Sequence, residues 1–189
     1  ALEKETHPML KPNMSGKFRV MDKVDGSLGI AFYWNNKWWI KTGGSFDSEQ
    51  AVWATNFLNN SEIKTSEMNP DYTYCFEIIW FEDLHPLTHV YKNTGEELRL
   101  LGIISKETGE EVPLDILQLQ SKKINANMAN VLEFNTFEEA YNYTKNLPNT
   151  SEGVVITWAS GFKCKIKGSE YIKLHALFFR LNLEFLYDN

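Results

Sequence analysis

The sequence predicts an α+β protein, with antiparallel sheets flanked by helices. Three observations carry that expectation. Short runs rich in β-branched and aromatic residues recur, among them Leu28-Gly29-Ile30-Ala31-Phe32-Tyr33-Trp34 and Tyr72-Thr73-Tyr74-Cys75-Phe76. Between such runs lie helix-start signals, Ser48 before Glu49 and Thr136 before Glu138-Glu139. Several strands follow one another with no helix between them, which favours antiparallel pairing. At 189 residues, 43% of them apolar, the chain suits one good core or two small subdomains.

Taken in order, residues 1–15 are polar, contain Pro8 and Pro12, and read as irregular. Phe18 to Met21, Leu28 to Trp34 and Lys37 to Lys41 read as three strands of a meander, with Asn35-Asn36 turning the chain between the second and third. Ser48 caps a helix from Glu49 to Leu58, with Ala51, Val52, Ala54, Phe57 and Leu58 on its apolar side. Tyr72 to Phe81 and Leu98 to Ser105 are further strands, and Thr108-Gly109 turns the chain after the second. Pro113 opens a helix to Ile124. Val131 to Phe134 is a short strand, and Thr136 caps a helix through Lys145 with acidic residues at its positive end. Gly153 to Trp158 and Phe162 to Ile166 form a hairpin around Ala159-Ser160-Gly161. Ser169 caps a last helix, Glu170 to about Tyr187. Leu177, Phe178, Leu181, Phe185 and Leu186 recur there at helical spacing, so it is expected to dock against something.

A net charge of −6 argues against coating nucleic acid through overall charge, yet leaves room for a local basic patch from Lys163 to Lys173. Cys75 and Cys164 give neither metal spacing nor a disulfide framework, so a reducing cytoplasm is expected, or a host's cytoplasm if the protein is viral. No apolar run approaches the roughly 20 residues of a membrane span, so no membrane partner is expected. His7, His85, His89 and His175 form no metal pattern. Both ends read as cut, so residues 1–189 are expected to be a domain truncated at both ends.

Five stretches carry chemistry. Lys23-Val24-Asp25-Gly26-Ser27 joins two strands. It is either an ordinary Asp-Gly turn or a site for a lysine nucleophile, which needs a desolvated, positively charged setting to be available as the free amine. Glu77 lies inside the apolar run Phe76-Glu77-Ile78-Ile79, where it faces solvent on an edge strand or has a buried partner. Glu152 opens the apolar run after Gly153. Lys163, Lys165 and Lys167 alternate onto one strand face, which is either solvated or meets an anion such as a polyphosphate. Lys41-Thr42-Gly43-Gly44-Ser45 is a Gly-rich turn before a helix, able to offer amides to phosphate though it is no Walker loop.

Together, and in this order, these stretches resemble the ATP-dependent RNA ligases of the phage T4 RNA ligase 1 type, within the covalent nucleotidyltransferase superfamily. Lys23-Val24-Asp25-Gly26-Ser27-Leu28 looks like that family's motif I, and Phe76-Glu77 is similar to motif III. Leu98-Arg99-Leu100-Leu101 is similar to motif IIIa, Glu152-Gly153-Val154-Val155 to motif IV, and Lys165-Ile166-Lys167 to motif V. Gly44-Ser45 with Ser48-Glu49-Gln50-Ala51 matches the segment after motif I. Gly43 departs from the pattern where a lysine often stands, and no arginine follows motif III in His85-Pro86-Leu87-Thr88-His89.

The resemblance implies a nucleotidyltransferase (adenylyltransferase) domain. Lys23 would attack ATP to form lysyl-AMP, pass AMP to an RNA 5′-phosphate, and a 3′-hydroxyl would then seal the break. It implies Lys165 and Lys167 beside Lys23 in catalysis. It assigns Asp25, Gly26, Lys41, Glu77, Leu101, Glu152 and Val155 to nucleotide binding, with Leu101 and Val155 clamping adenine. Glu152 and Glu77 would hold Mg²⁺, or Mn²⁺ in its place. RNA is the implied partner, with substrate choice in a C-terminal domain absent from this sequence. The alternatives are a DNA ligase or capping-type transferase, and a module that binds nucleotide without turnover.

Overall fold

The computed structural model describes residues 16–80, 95–174 and 176. The described residues of Ala1–Lys23 and Asn130–Asn189 form one compact unit, and Val24–Ala129 form a second. The fold is α+β with two antiparallel four-stranded sheets, one in each unit.

The first unit holds β1 (Phe18–Asp22), β6 (Val131–Leu132), β7 (Gly153–Trp158) and β8 (Lys163–Lys167), in the order β6-β1-β7-β8. Strand alternation sends Val20, Val154, Ile156 and Trp158 to one side, where they pack with Ala140 of α3 (Phe137–Lys145). Thr136 starts that helix as expected, its hydroxyl accepting from the Glu139 N–H at 3.2 Å.

The second unit orders its strands β3-β2-β4-β5: β2 (Ser27–Trp34), β3 (Lys37–Lys41), β4 (Tyr72–Ile79) and β5 (Glu97–Ser105). Asn35 and Asn36 both take positive φ, 49° and 59°, as a tight two-residue hairpin turn requires. One sheet face carries the fully buried Ala31, Tyr74, Phe76, Ile78 and Leu100. Helix α1 (Glu49–Asn60) is anchored to β3 by side chains as well as packing. Thr55 Oγ1 accepts from the Ile40 N–H at 2.9 Å, and Asn59 Nδ2 donates to the Trp38 carbonyl at 3.0 Å. Helix α2 (Leu114–Ile124) buries Leu117 and Ile124. Burial pushes the Tyr74 phenol up from its ordinary value, while the Asn69 N–H donated to its oxygen at 2.9 Å works the other way.

Several expectations need correction. The first three strands form no meander, because β1 pairs with β6 and β7 while only β2 and β3 make a hairpin. The chain stays with the first sheet through Lys23, whose N–H donates to the Gly153 carbonyl at 2.8 Å, and then leaves it. Gly26 next passes so close to β4 that an added Cβ would stand 2.4 Å from the Ile78 carbonyl oxygen. Pro113 is the N-cap of α2 and not its first turn, with ψ at 160°. The short strand ends at Leu132, and the last strand runs one residue later than expected. Helix α1 runs to Asn60 and β4 ends at Ile79. Residues 169–174 and 176 are helical. The expectations for residues 1–15, Phe81, the four histidines and the helix beyond residue 176 lie outside the described residues.

Ser48 caps α1 as expected, accepting from the Ala51 N–H at 3.2 Å. Ser48→Ala is expected to cost about 1 kcal/mol, which lowers the melting temperature of a chain of this size by roughly 2–4 °C. Thermal unfolding followed by circular dichroism checks it, and an unchanged midpoint would show that the cap contributes nothing.

Candidate active site

The first unit brings three of the expected residues together. In the β1–β7–β8 ladder Met21 faces Val155 and Val155 faces Lys165, and Gly153 faces Lys167. The Lys23 N–H bond to the Gly153 carbonyl extends the β1–β7 pairing by one residue. Lys23, Gly153 and Lys167 therefore form one row across the sheet, and Met21, Val155 and Lys165 form the next. Arg19, Thr157 and Lys163 form a third. All these side chains share the face opposite the Val20–Ile156 core.

Glu152 is the hub of the first row. Its Oε2 lies 2.5 Å from Lys23 Nζ and its Oε1 lies 2.8 Å from Lys167 Nζ. The carboxylate is 5% exposed, so it needs both cations; a buried charge without partners is expensive. Its backbone is fixed too, since the Glu152 carbonyl accepts from the Gly168 N–H at 2.9 Å. Gly153 has φ +147°, and an added Cβ would stand 1.9 Å from the Ile166 carbonyl oxygen. Only glycine lets β7 approach β8 this closely beside the carboxylate. Lys165 is exposed on the same strand face as Lys167, and Val155 is half-buried.

The second unit carries the other expected residues. Glu77 is buried at 9% exposure on a central strand, so the solvent-facing edge position does not hold. It faces Leu28 on β2 and Arg99 on β5. Leu101 stands where the β4–β5 register shifts, opposite the Cys75–Phe76 step. Asp25 and Gly26 follow Lys23 in the connection to β2. Lys41 ends β3, its ammonium 5.2 Å from the centre of the Phe46 ring. After it, the Thr42 N–H donates to the Ser45 carbonyl at 2.9 Å and closes the Gly43-Gly44 turn.

Residues 2–171 match the RNA ligase family model of the T4 RNA ligase 1 type. The chain belongs to this RNA ligase family. No curated protein sequence matches it significantly. Its fold is that of solved RNA ligases. A Naegleria gruberi RNA ligase mutant with ATP and Mn superposes with a TM-score of 0.69 at 19% identity, covering 89% of this chain and 55% of that one. The Naegleria gruberi RNA ligase with PPi gives a TM-score of 0.65 at 19% identity, with 89% and 54% covered. An archaeal ATP-dependent RNA ligase gives 0.67 at 17% identity, covering 86% of this chain and 45% of that one. The chain thus spans about half the length of these structural relatives.

The family member shows partners that spacing alone did not reveal. Tyr171 is buried under Lys167, whose ammonium lies 5.5 Å from the ring centre. Asn130 Nδ2 donates to Asp22 Oδ2 at 2.9 Å beside Lys23. Arg99, next to Glu77, pairs with Glu97. Among the described residues no group of three or more His, Cys, Asp or Glu could hold a metal ion by itself. Both Glu152 carboxylate oxygens are in ion pairs with lysines, Oε2 with Lys23 and Oε1 with Lys167. No helix among the described residues is long and apolar enough to cross a membrane.

Proposed function

We propose that residues 1–189 are the adenylyltransferase domain of an ATP-dependent RNA ligase. The observation that carries this reading is Glu152 held between Lys23 and Lys167 on one row of a basic sheet face. Lys23 Nζ gives up a proton, for which Glu152 Oε2 is within reach, and attacks the α-phosphorus of ATP. The bond from that phosphorus to the bridging oxygen breaks, and pyrophosphate leaves with its electron pair. An RNA 5′-phosphate oxygen then attacks the same phosphorus and displaces the Lys23 nitrogen. Finally a 3′-hydroxyl attacks the activated 5′-phosphorus, loses its proton and expels AMP.

The side chains divide this work by charge and shape. Lys165 and Lys167 neutralise charge that builds on the α-phosphate and on the leaving group. The backbone amides of the Gly43-Gly44 turn serve the outer phosphates. Glu77 accepts from the ribose, Asp25 orients Lys23, Gly26 permits close backbone approach, and Leu101 and Val155 contact adenine. Glu152 or Glu77 would help hold Mg²⁺ or Mn²⁺, which would supply charge neutralisation on the phosphates. The solved relatives with ATP and Mn, AMP and Mn, and PPi support ATP and a divalent metal as the ligands. The match to an RNA ligase family model favours RNA ends over the DNA ligase or capping-type reading.

The test is α-labelled ATP with Mg²⁺, followed by denaturation and peptide mapping. Label is expected on Lys23. Lys165→Ala and Lys167→Ala are each expected to slow its appearance by about 100-fold or more, the size seen when one preorganised charge donor is lost. Lys165→Ala should not move the melting temperature much, because its side chain is exposed, whereas Lys167→Ala also removes one of the two cations on the buried Glu152 carboxylate and is expected to lower it. Label on another residue, or none, overturns the proposal.

A further inference from the structure

We infer that the outward face of the β2–β3 hairpin is a platform for single-stranded RNA; its occupant rests on the RNA ligase reading above. In this hairpin Ile30 faces Lys41, Phe32 faces Trp39 and Trp34 faces Lys37. Those six side chains share one side of the sheet. The other side holds Ala31, Trp38 and Ile40, all buried in the core. So Phe32, Trp34 and Trp39 are surplus to the core.

They are also open. Trp34 is 64% exposed and Phe46, from the loop after β3, is 67% exposed. Phe46 meets Phe32 edge-on at 5.9 Å between centroids, and Trp34 lies 6.3 Å from Trp39. The Trp39 ring is fixed by its N–H, which donates to the Trp34 carbonyl at 3.1 Å. Between the rings is a hollow of about 350 Å³ bordered by Phe32, Trp34, Trp39 and Phe46.

Charge selects the occupant. Lys37 Nζ lies 4.8 Å from the Trp39 ring centre and Lys41 Nζ lies 5.2 Å from that of Phe46. The two lysines are four residues apart on one strand, about 13 Å, with aromatic rings between them. Flat rings bracketed by ammonium groups match a ligand that alternates flat bases with phosphates. An apolar protein segment would gain nothing from the two cations. The same sheet side carries Glu77, through its pairing with Leu28. Leu28 and Trp34 are six residues apart, about 20 Å along β2. The platform therefore holds bases some way along a strand whose end lies nearer Glu77, and stacking makes it tolerant of sequence.

The experiment measures binding of a labelled oligouridylate of about 12 nucleotides to the 189-residue chain without ATP, beside formation of the AMP adduct without RNA. The double variant Trp34→Ala, Phe46→Ala is expected to weaken RNA binding at least about tenfold and to leave adduct formation unchanged. Trp34→Phe keeps a ring and is expected to retain most of the affinity. Lys37→Ala is expected to flatten the slope of log affinity against log salt by about 0.7. Unchanged RNA affinity in a chain that still forms the adduct overturns the platform and leaves the ligase reading standing. Loss of RNA binding in the double variant, with no adduct even in the wild type, supports the platform and sinks the ligase reading. Unchanged RNA affinity with loss of self-association in sedimentation would make the patch a contact between copies, and overturns the proposal.

Discussion

Lys23→Arg is expected to preserve the fold and abolish the AMP adduct. Lys23 is 19% exposed and its ammonium is bound to Glu152, which itself is 5% exposed. Removing the cation, as in Lys23→Ala, leaves the buried carboxylate with Lys167 alone and confounds chemistry with stability. Arginine keeps a positive charge beside Glu152. It is not deprotonated in proteins, so it offers no free amine to attack phosphorus. The expected result is a melting temperature close to wild type and no detectable adduct by intact mass after incubation with ATP and Mg²⁺. An adduct in Lys23→Arg would move the nucleophile elsewhere. A collapsed melting temperature would mean that Lys23 serves the fold as much as the chemistry.

The elements were legible in the sequence where local signals coincide. Ser48 and Thr136 announce α1 and α3 because a cap is a contact over three residues. Asn35-Asn36 announces its hairpin because both residues tolerate positive φ. The common face of Lys163, Lys165 and Lys167 follows from alternation alone. What could not be read is pairing over distance. Strand β1 joins a sheet with residues more than 100 positions away, and nothing in Phe18–Asp22 says so. The same holds at the site, where Lys23 and Glu152 are 129 residues apart. Each was singled out for its own surroundings in sequence, yet neither stretch names the other as its ion-pair partner. Glu77 is similar: its apolar neighbours indicate burial on either a central or an edge strand, and only the pairing with both β2 and β5 decides. Family resemblance supplied the grouping that residue patterns alone left open.

Gly153→Ala is expected to be among the most damaging single changes in the first unit. The residue has φ +147°, which strains any L side chain. The new Cβ would also stand 1.9 Å from the Ile166 carbonyl oxygen and 2.8 Å from the Lys167 Cα. Both are backbone atoms of β8, so no side-chain rotation relieves the clash and the β7–β8 ladder must move. That ladder carries Lys165 and Lys167, and the Gly153 carbonyl takes the Lys23 N–H. One methyl group therefore loosens the row that holds Lys23, Glu152 and Lys167 together. A cost of about 4 kcal/mol or more, the exceptional range for a point change, lowers the melting temperature by roughly 10 °C in a chain of this size. Gly161→Ala is the control. It too has positive φ, +80°, but an added Cβ there meets no heavy atom within 4 Å. Strain alone should cost it about 1–2 kcal/mol, and its rate of adduct formation should be unaffected. Equal melting temperatures for the two variants would mean that β7 and β8 separate easily, and that close strand approach is not what holds Glu152 between its lysines.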